Sequence, residues 1–296
     1  MFEQAKYKKP NKDLERQKRA MRKGRGLGEE DQFSPFIQVG RGDFPSHGRS
    51  EVVKDPVSGR QHHFLSWLEY FIFLMLLHLG AVEIREQFPL GLEDDDADFP
   101  GRNWEGLGTL SAAQALSIKH PQITIDVPRV QTTDLLVIDP WTHFAIFIRY
   151  EKDVPRFGRQ LDLLKLHTRY WTERGIKHYV LTDKDIHLPL IDLLLWAFPS
   201  RRTHPDGASA EFLDFLKSCE PHNKLQAELI KWRGIDGLPD TFDEFKAGVF
   251  AGQIAVTVNS SMLRPLNRPW DFTVVDDPCP HTRLQRFFKS KVAQHD

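Results

Sequence analysis

The hydrophobic pattern changes period several times along the chain. The run FLSWLEYFIFLMLLHLG, 64–80, is apolar on every side of a helix, and Glu69 is the one charged residue between Phe64 and Leu77. A helix that is apolar all round is a buried one, so a core helix is predicted over 65–79, followed by a short strand over 81–87. The stretch TTDLLVIDPWTHFAIFIRY, 132–150, is rich in β-branched and aromatic residues and reads as two strands, 133–139 and 144–150, joined by a tight turn. RQLDLLKLHTRYWTE predicts a helix over 159–173, with Tyr170 and Trp171 as core, and HYVLT a strand over 178–182. The order α-β-β-β-α-β, with helices against a mixed sheet, is an α/β layer architecture. Beyond Arg201 the texture changes to short helical pieces. There Thr241 is placed to cap a helix ending near Gly248 or Gly252, with a strand over 254–258 behind it. Helices leading into a small hairpin predict a winged-helix-like module.

The central hairpin carries the first chemistry. Pro140 is barred from the positive-φ turns of two-residue loops and suits the second position of a type I turn over 139–142. Facing residue numbers then sum to about 281, which sets Asp134 opposite Phe147 and Arg149 on the same face, one diagonal step beyond. Leu135, Val137, Ile146 and Ile148 form the neighbouring apolar face. Desolvating a carboxylate costs several kcal/mol, so Glu69 in its apolar helix needs a cation, a metal or strong hydrogen bonds. Glu69 and Asp134, isolated carboxylates on adjacent elements, suit a shared divalent cation, magnesium or manganese by the hardness of their oxygens. The competing reading is that Arg149 or Arg85 neutralises them.

Length and charge set the wider frame. A chain of 296 residues accommodates two domains. Lys and Arg number 40 against 41 Asp and Glu, a net charge of -1, which excludes blanket adhesion to nucleic acid and makes any basic surface regional. That region is 1–26, with Lys6, Lys8, Lys9, Lys12, Arg16, Lys18, Arg19, Arg22, Lys23 and Arg25 against Glu3, Asp13 and Glu15. It reads as an arm that orders on phosphates or as a solvated tail. Arg49 and Arg60, in a Gly-flanked loop before the buried helix, are further candidates to meet phosphates. His62 and His63 read as packing and capping neighbours of that helix. The loop GLEDDDADFPGRNWEGLG holds Glu93, Asp94, Asp95, Asp96 and Asp98 without the spacing or glycine of an EF-hand, and reads as a solvated insertion. Cys219 and Cys279 lack metal spacing and no signal-peptide pattern stands at the start, so a cytoplasmic protein with reduced thiols is expected. The 64–80 run, interrupted by Glu69, is too short to span a bilayer.

Nine segments in order, GRG (24–26), GRS (48–50), SGRQHHFLSWLE (58–69), EIREQFPL (83–90), IKHP (118–121), TTDLLV (132–137), FAIFIR (144–149), RYW (169–171) and TDK (182–184), resemble the TnsA family of endonuclease subunits from heteromeric bacterial transposases. The resemblance reaches from about residue 20 to 200; the remainder matches only as a small helical module. It implies a restriction-endonuclease-like α-β-β-β-α-β core of the PD-(D/E)XK type. In that family a glutamate on the first helix and an aspartate on the second strand bind Mg²⁺ (or Mn²⁺), joined by a backbone carbonyl and a Q-x-K on the third strand. Glu69 and Asp134 match the carboxylates and Ile148 the carbonyl position. Phe147 and Arg149 stand where the polar residue and the lysine are expected, and Lys152, a displaced lysine, falls on the opposite strand face by alternation.

The resemblance further implies cleavage of the 5′ strands at transposon ends, alongside a DDE-type transposase (TnsB-like) and an AAA+ ATPase regulator (TnsC-like), with nucleoid association in the assembled state. The domains expected are a basic arm and lead-in over 1–45, an endonuclease domain over 46–200 and a winged-helix-like partner-binding domain over 201–296. Catalytic candidates are Glu69, Asp134 and Arg149; metal candidates are Glu69, Asp134 and Ile148; DNA-binding candidates are Lys8, Lys9, Arg22, Lys23, Arg25, Arg49 and Arg60. The alternative is a catalytically impaired subunit that bridges transposase, regulator and DNA. A stand-alone restriction-type nuclease shares the fold but not the segments outside its core.

Overall fold

The computed structural model describes residues 11–40, 49–102, 104–140, 143–219, 225–256, 272–275 and 280–292. Lys6, Lys8 and Lys9 of the basic arm, residues 141–142 of the expected turn, residues 257–258 of the expected last strand, and Cys279 lie outside them. Two compact units divide the chain: Met1–Val53, Gln61–Glu69 and Glu83–Leu181 form the first, and Lys54–Arg60, Tyr70–Val82 and Thr182–Asp296 the second. Both units are discontinuous along the chain.

The elements run α1 (Lys12–Arg22), β1 (Glu51–Lys54), β2 (Gln61–Phe64), α2 (Trp67–His78), β3 (Glu83–Pro89), α3 (Thr109–Ala115), β4 (Gln122–Thr124), β5 (Val127–Pro128), β6 (Thr132–Ile138), β7 (His143–Ile148), α4 (Gly158–Glu173) and β8 (Lys177–Leu181). They continue as α5 (Leu188–Ala197), α6 (Ala210–Ser218), α7 (Leu225–Arg233), α8 (Leu238–Phe250), β9 (Ile254–Val256), β10 (Phe272–Val274) and α9 (Pro280–Val292). The order α2-β3-β6-β7-α4-β8 is the α-β-β-β-α-β succession read from the sequence, with α3 and the β4–β5 hairpin inserted after β3. Among the described residues no helix is long and apolar enough to cross a membrane.

In the first unit a four-stranded sheet runs β3-β6-β7-β8. β3, β6 and β7 are antiparallel neighbours and β8 joins β7 in parallel. The β6–β7 ladder pairs Leu135 with Ile146 and Ile138 with His143, the sum of 281 that Pro140 dictates. Trp171 and Tyr170 of α4 pack with Leu136, Ala145, Phe88 and Leu90 in a buried cluster, so the period-3.6 apolar stripe of α4 meets one pleat face of the sheet. Gln87 breaks the alternation of β3. Its φ is +48°, and Phe88, which period two would put on the side of Ile84 and Glu86, instead joins Leu136 and Trp171.

Two expectations about loops are corrected. The described part of the basic arm is no solvated tail: 12–22 is a helix capped by the Asn11 side chain, with Ala20 buried against Phe36, Leu92, Phe99 and Val130. The buried Gln17 side chain donates to the Pro128 carbonyl and accepts from the Val130 amide, both at 2.9 Å. The acidic loop is no solvated insertion either. Asp96 is 1% exposed and accepts from Tyr170 Oη, Arg102 and Arg174. Asp94, Asp95 and Asp98 accept backbone amides of Gly108, Gly106 and Leu92. Short carboxylates bond local amides readily, and that capacity, unseen in a run of charges, makes the loop an organising hub.

In the second unit, Phe212, Leu216, Leu225, Leu229, Phe245, Val249 and Ile254 form the core. Helices α6–α8 precede the antiparallel β9–β10 pair. Thr241 does not cap α8. That helix begins at Leu238 with Pro239 in its first turn, where a proline's missing donor is free of cost, and Thr241 Oγ1 donates back to the Gly237 carbonyl.

Candidate active site

Glu69 owes its position to the start of α2. The sequence S-W-L-E, 66–69, is a capping pattern. The Ser66 hydroxyl accepts the Glu69 amide at 3.2 Å and donates to Glu69 Oε1 at 3.1 Å, while Glu69 Oε2 accepts the Leu65 amide at 2.9 Å. Gln87 Nε2 adds a fourth bond at 3.2 Å. The apolar helix thus carries its one acid in the first turn, where orphan amides are available. His62 and His63, expected to serve this cap, lie in β2 instead. His62 is buried against Glu86 at 3.1 Å, and His63 Nδ1 accepts the Val39 amide.

Asp134 enters from β6, directly across from Gln87. Its Oδ2 accepts the Ile148 amide at 2.7 Å and Arg149 Nη1 at 3.1 Å. Glu69 and Asp134 share one cavity of about 660 Å³, lined also by Ser66, Gln87, Arg129, Thr132, Phe147, Ile148, Arg149, Gln160 and His167. Both carboxyl pKa values are raised. Burial is the larger cause for Glu69 and the nearby Asp134 charge the second, lifting it to about 8. Burial also raises Asp134, opposed by the Arg149 guanidinium and the Ile148 amide. The pair is therefore short of positive charge, which a hard divalent cation would supply; Glu69, Asp134 and the Ile148 carbonyl are the donors it would use. Among the described residues no group of three or more His, Cys, Asp or Glu side chains suited to a metal occurs.

Arg149 decides how accessible those donors are. The same Nη1 that meets Asp134 also donates to the Ile148 carbonyl, so one guanidinium sits on two of the three donors. Its guanidinium carbon stands over the Phe147 ring at 3.8 Å from the centroid, a cation–π contact that a lysine makes less well. Its side chain is 40% exposed. Arg85, the other neutraliser considered, is turned away onto Glu83. Lys152 lies in a 3₁₀ turn, Glu151–Asp153, beyond the strand, is exposed and does not line the cavity.

The DNA-binding candidates scatter. Arg22 and Lys23 are exposed at the end of α1. Arg25 is buried, its Nη1 donating to the Phe36 carbonyl, and Arg60 is buried too; both are placed as structural groups rather than as surface cations. Arg49 is exposed and stacks on Trp67, 4.6 Å from its ring. Lys8 and Lys9 lie outside the described residues. Sequence reading missed Gln87 and His167. Gln87 sits inside the EIREQFPL segment, where Arg85 and Glu86 beside it leave a further polar residue without a signal of its own; Thr132 Oγ1 fixes its other end at 3.1 Å. A non-glycine residue at positive φ is strained by order 1–3 kcal/mol and tends to occur at functional sites.

No protein-family model matches the chain. Comparison with characterised proteins finds similarity to the transposon Tn7 transposition protein TnsA of Escherichia coli, 33% identical over 199 residues, 66% of this chain and 65% of that protein. The chain thus spans slightly less than two thirds of its relative's length, and at this identity across about two thirds of its own residues it is a TnsA-like protein.

Proposed function

We propose that this chain is a metal-dependent DNA endonuclease subunit of a heteromeric transposition system, cutting the 5′ strands at transposon ends. A DDE-type transposase would cut and join the other strands and an AAA+ ATPase would regulate both. The observation that carries the reading is the meeting of Glu69, Asp134, the Ile148 backbone and Arg149 in one cavity of a TnsA-like chain. Mg²⁺ or Mn²⁺ held by the two carboxylates and the carbonyl would generate the attacking hydroxide and neutralise the phosphate. Gln87 orients Glu69, and Ser66 holds its other oxygen. Arg149 offers a permanent positive charge to the phosphate, but a guanidinium does not serve as a base and takes no proton from water. Phe147 keeps that wall of the cavity apolar.

Helix α1 supplies the approach. Gln17 ties it to residues 128–130, and Arg129 and Val130 line the cavity, while Lys12, Lys18, Arg19, Arg22 and Lys23 are exposed. A cationic face beside the cavity suits a phosphodiester backbone. One observation favours a second reading, an assembly subunit without cleavage: Arg149 already occupies Asp134 and the Ile148 carbonyl. Strand-specific cleavage of labelled transposon-end DNA, with Mg²⁺ and the partner proteins, separates the two. The nuclease reading expects the 5′ strand to be cut, and Asp134→Ala to lower the rate by at least the 10² to 10³ typical of losing one electrostatic group. An intact 5′ strand beside a cleaved 3′ strand supports the assembly reading.

A further inference from the structure

A second cleft of about 670 Å³ in the first unit is lined by Ser117, Ile118, Lys119, His120, Gln122, Arg159 and Asp162. The local sequence builds it rigidly. Helix α3 ends on Ser117 in the left-handed region, φ +54°, closed by the Ser117 and Ile118 amides on the Gln114 and Ala113 carbonyls. Ile118 then packs with Ala112, Ala113 and Leu166. His120 is fastened at both ring nitrogens, to the Pro121 carbonyl at 2.8 Å and Thr109 Oγ1 at 3.1 Å. Lys119 stands between two anchored neighbours and is exposed.

Arg159 arrives by helical spacing. Leu166 of α4 is the residue that packs on α3, and Arg159 lies two turns earlier on the same stripe. Neither Lys119 nor Arg159 makes an ion pair with a described residue, unlike Arg16, Arg85, Arg102, Arg169 and Arg174, each paired to a carboxylate. Asp162 is the one acid of the lining. The adjacent stripe of α4, Gln160, Leu163 and His167, lines the catalytic cavity. The two hollows therefore flank one helix.

We propose that this cleft is a second phosphodiester-binding site, in which Lys119 and Arg159 hold a backbone phosphate of the DNA strand whose reacting phosphate enters the neighbouring cavity. The identity of that strand rests on the nuclease reading. An α-helix with its side chains is about 10 Å across, so the held phosphate and the reacting one are separated by roughly that distance. The site positions and carries no sequence information.

The test is fluorescence anisotropy of a short labelled duplex over a KCl series without divalent cation, using the full chain with Asp134→Ala. Lys119→Ala with Arg159→Ala lowers the slope of log K against log salt by about 0.9, the contribution of the one phosphate that the two side chains share. Lys119→Arg leaves the slope unchanged, and Lys119→Glu lowers it further. A control pair, Lys165→Ala with Lys177→Ala, removes equal charge from exposed positions outside the cleft and changes the slope by less than half as much. An unchanged slope in the cleft variants, or a control that matches them, overturns the proposal. Cleavage by the unsubstituted chain in Mg²⁺ reports separately on the nuclease reading, so the two can fail independently.

Discussion

Arg149 illustrates how one residue shapes chemistry through geometry rather than charge. A lysine at this position would carry the same charge as a compact ammonium on a flexible stem. The guanidinium instead spreads over Phe147 and donates to Asp134 and the Ile148 carbonyl from a single nitrogen. A cation seeking the carboxylates has to displace it. The bond to Asp134 is charge-assisted, but with the side chain 40% exposed solvent weakens it, leaving a penalty of about 1 kcal/mol on cation binding. Arg149→Lys, which cannot stack and donate in the same way, is expected to tighten Mn²⁺ binding roughly threefold to tenfold in a calorimetric titration. Equal affinity in the two proteins would mean that Arg149 does not compete for the donors.

At the scale of elements, the acidic loop shows where stability is concentrated. Asp96 bridges Arg102 and Arg174, whose side chains are 7% and 2% exposed, and it also accepts from Tyr170 of α4. Removing one member of a buried ionic network leaves the others uncompensated, typically a loss of 3–5 kcal/mol. Asp96→Ala should lower the urea midpoint accordingly and expose Trp171, which packs edge-on to Tyr170, to fluorescence quenchers; a variant with unchanged midpoint would show the loop to be dispensable. An apolar run on every side made α2 legible, a period of 3.6 made α4 so, and β-branched and aromatic enrichment the central strands, because those elements bury apolar surface. Pro140 made the hairpin register legible, because it restricts the turn. The role of Asp96 was hidden, since Tyr170 and Arg174 reach it from outside its own segment and a local charge run looks the same whether solvated or paired. Glu69 and Asp134 were legible as isolated acids in apolar surroundings, whereas Gln87 depended on a left-handed backbone that no composition announces.

Across the whole molecule, buried titratable groups pull stability in opposite directions. The Glu69 carboxyl is lifted from 4.5 to about 8, and burial raises Asp134 as well. Below 8 the folded, metal-free protein holds protons that the unfolded chain does not, so its stability grows as pH falls from 8 toward 4.5. His167 and His178 do the reverse. Burial lowers them from 6.5 to about 3 and about 4, with each other and Arg149 adding repulsion at His167. Below 6.5 the unfolded chain gains protons that the folded chain refuses, and stability drains away until the folded values are passed. Metal-free protein in a chelator should therefore show a urea midpoint that rises as pH is lowered from above 8 to 6.5 and then meets an opposing acid limb. Excess Mg²⁺ binds only ionised carboxylates, so it should abolish the rise while leaving the histidine limb in place. His167→Phe, which keeps a ring beside Phe147 without a titrating nitrogen, should soften the acid limb and leave the Mg²⁺-sensitive rise untouched. A midpoint that is flat between 8 and 6.5 in the chelator would show that Glu69 is solvated, and with it would go the physical reason for placing a cation beside Asp134.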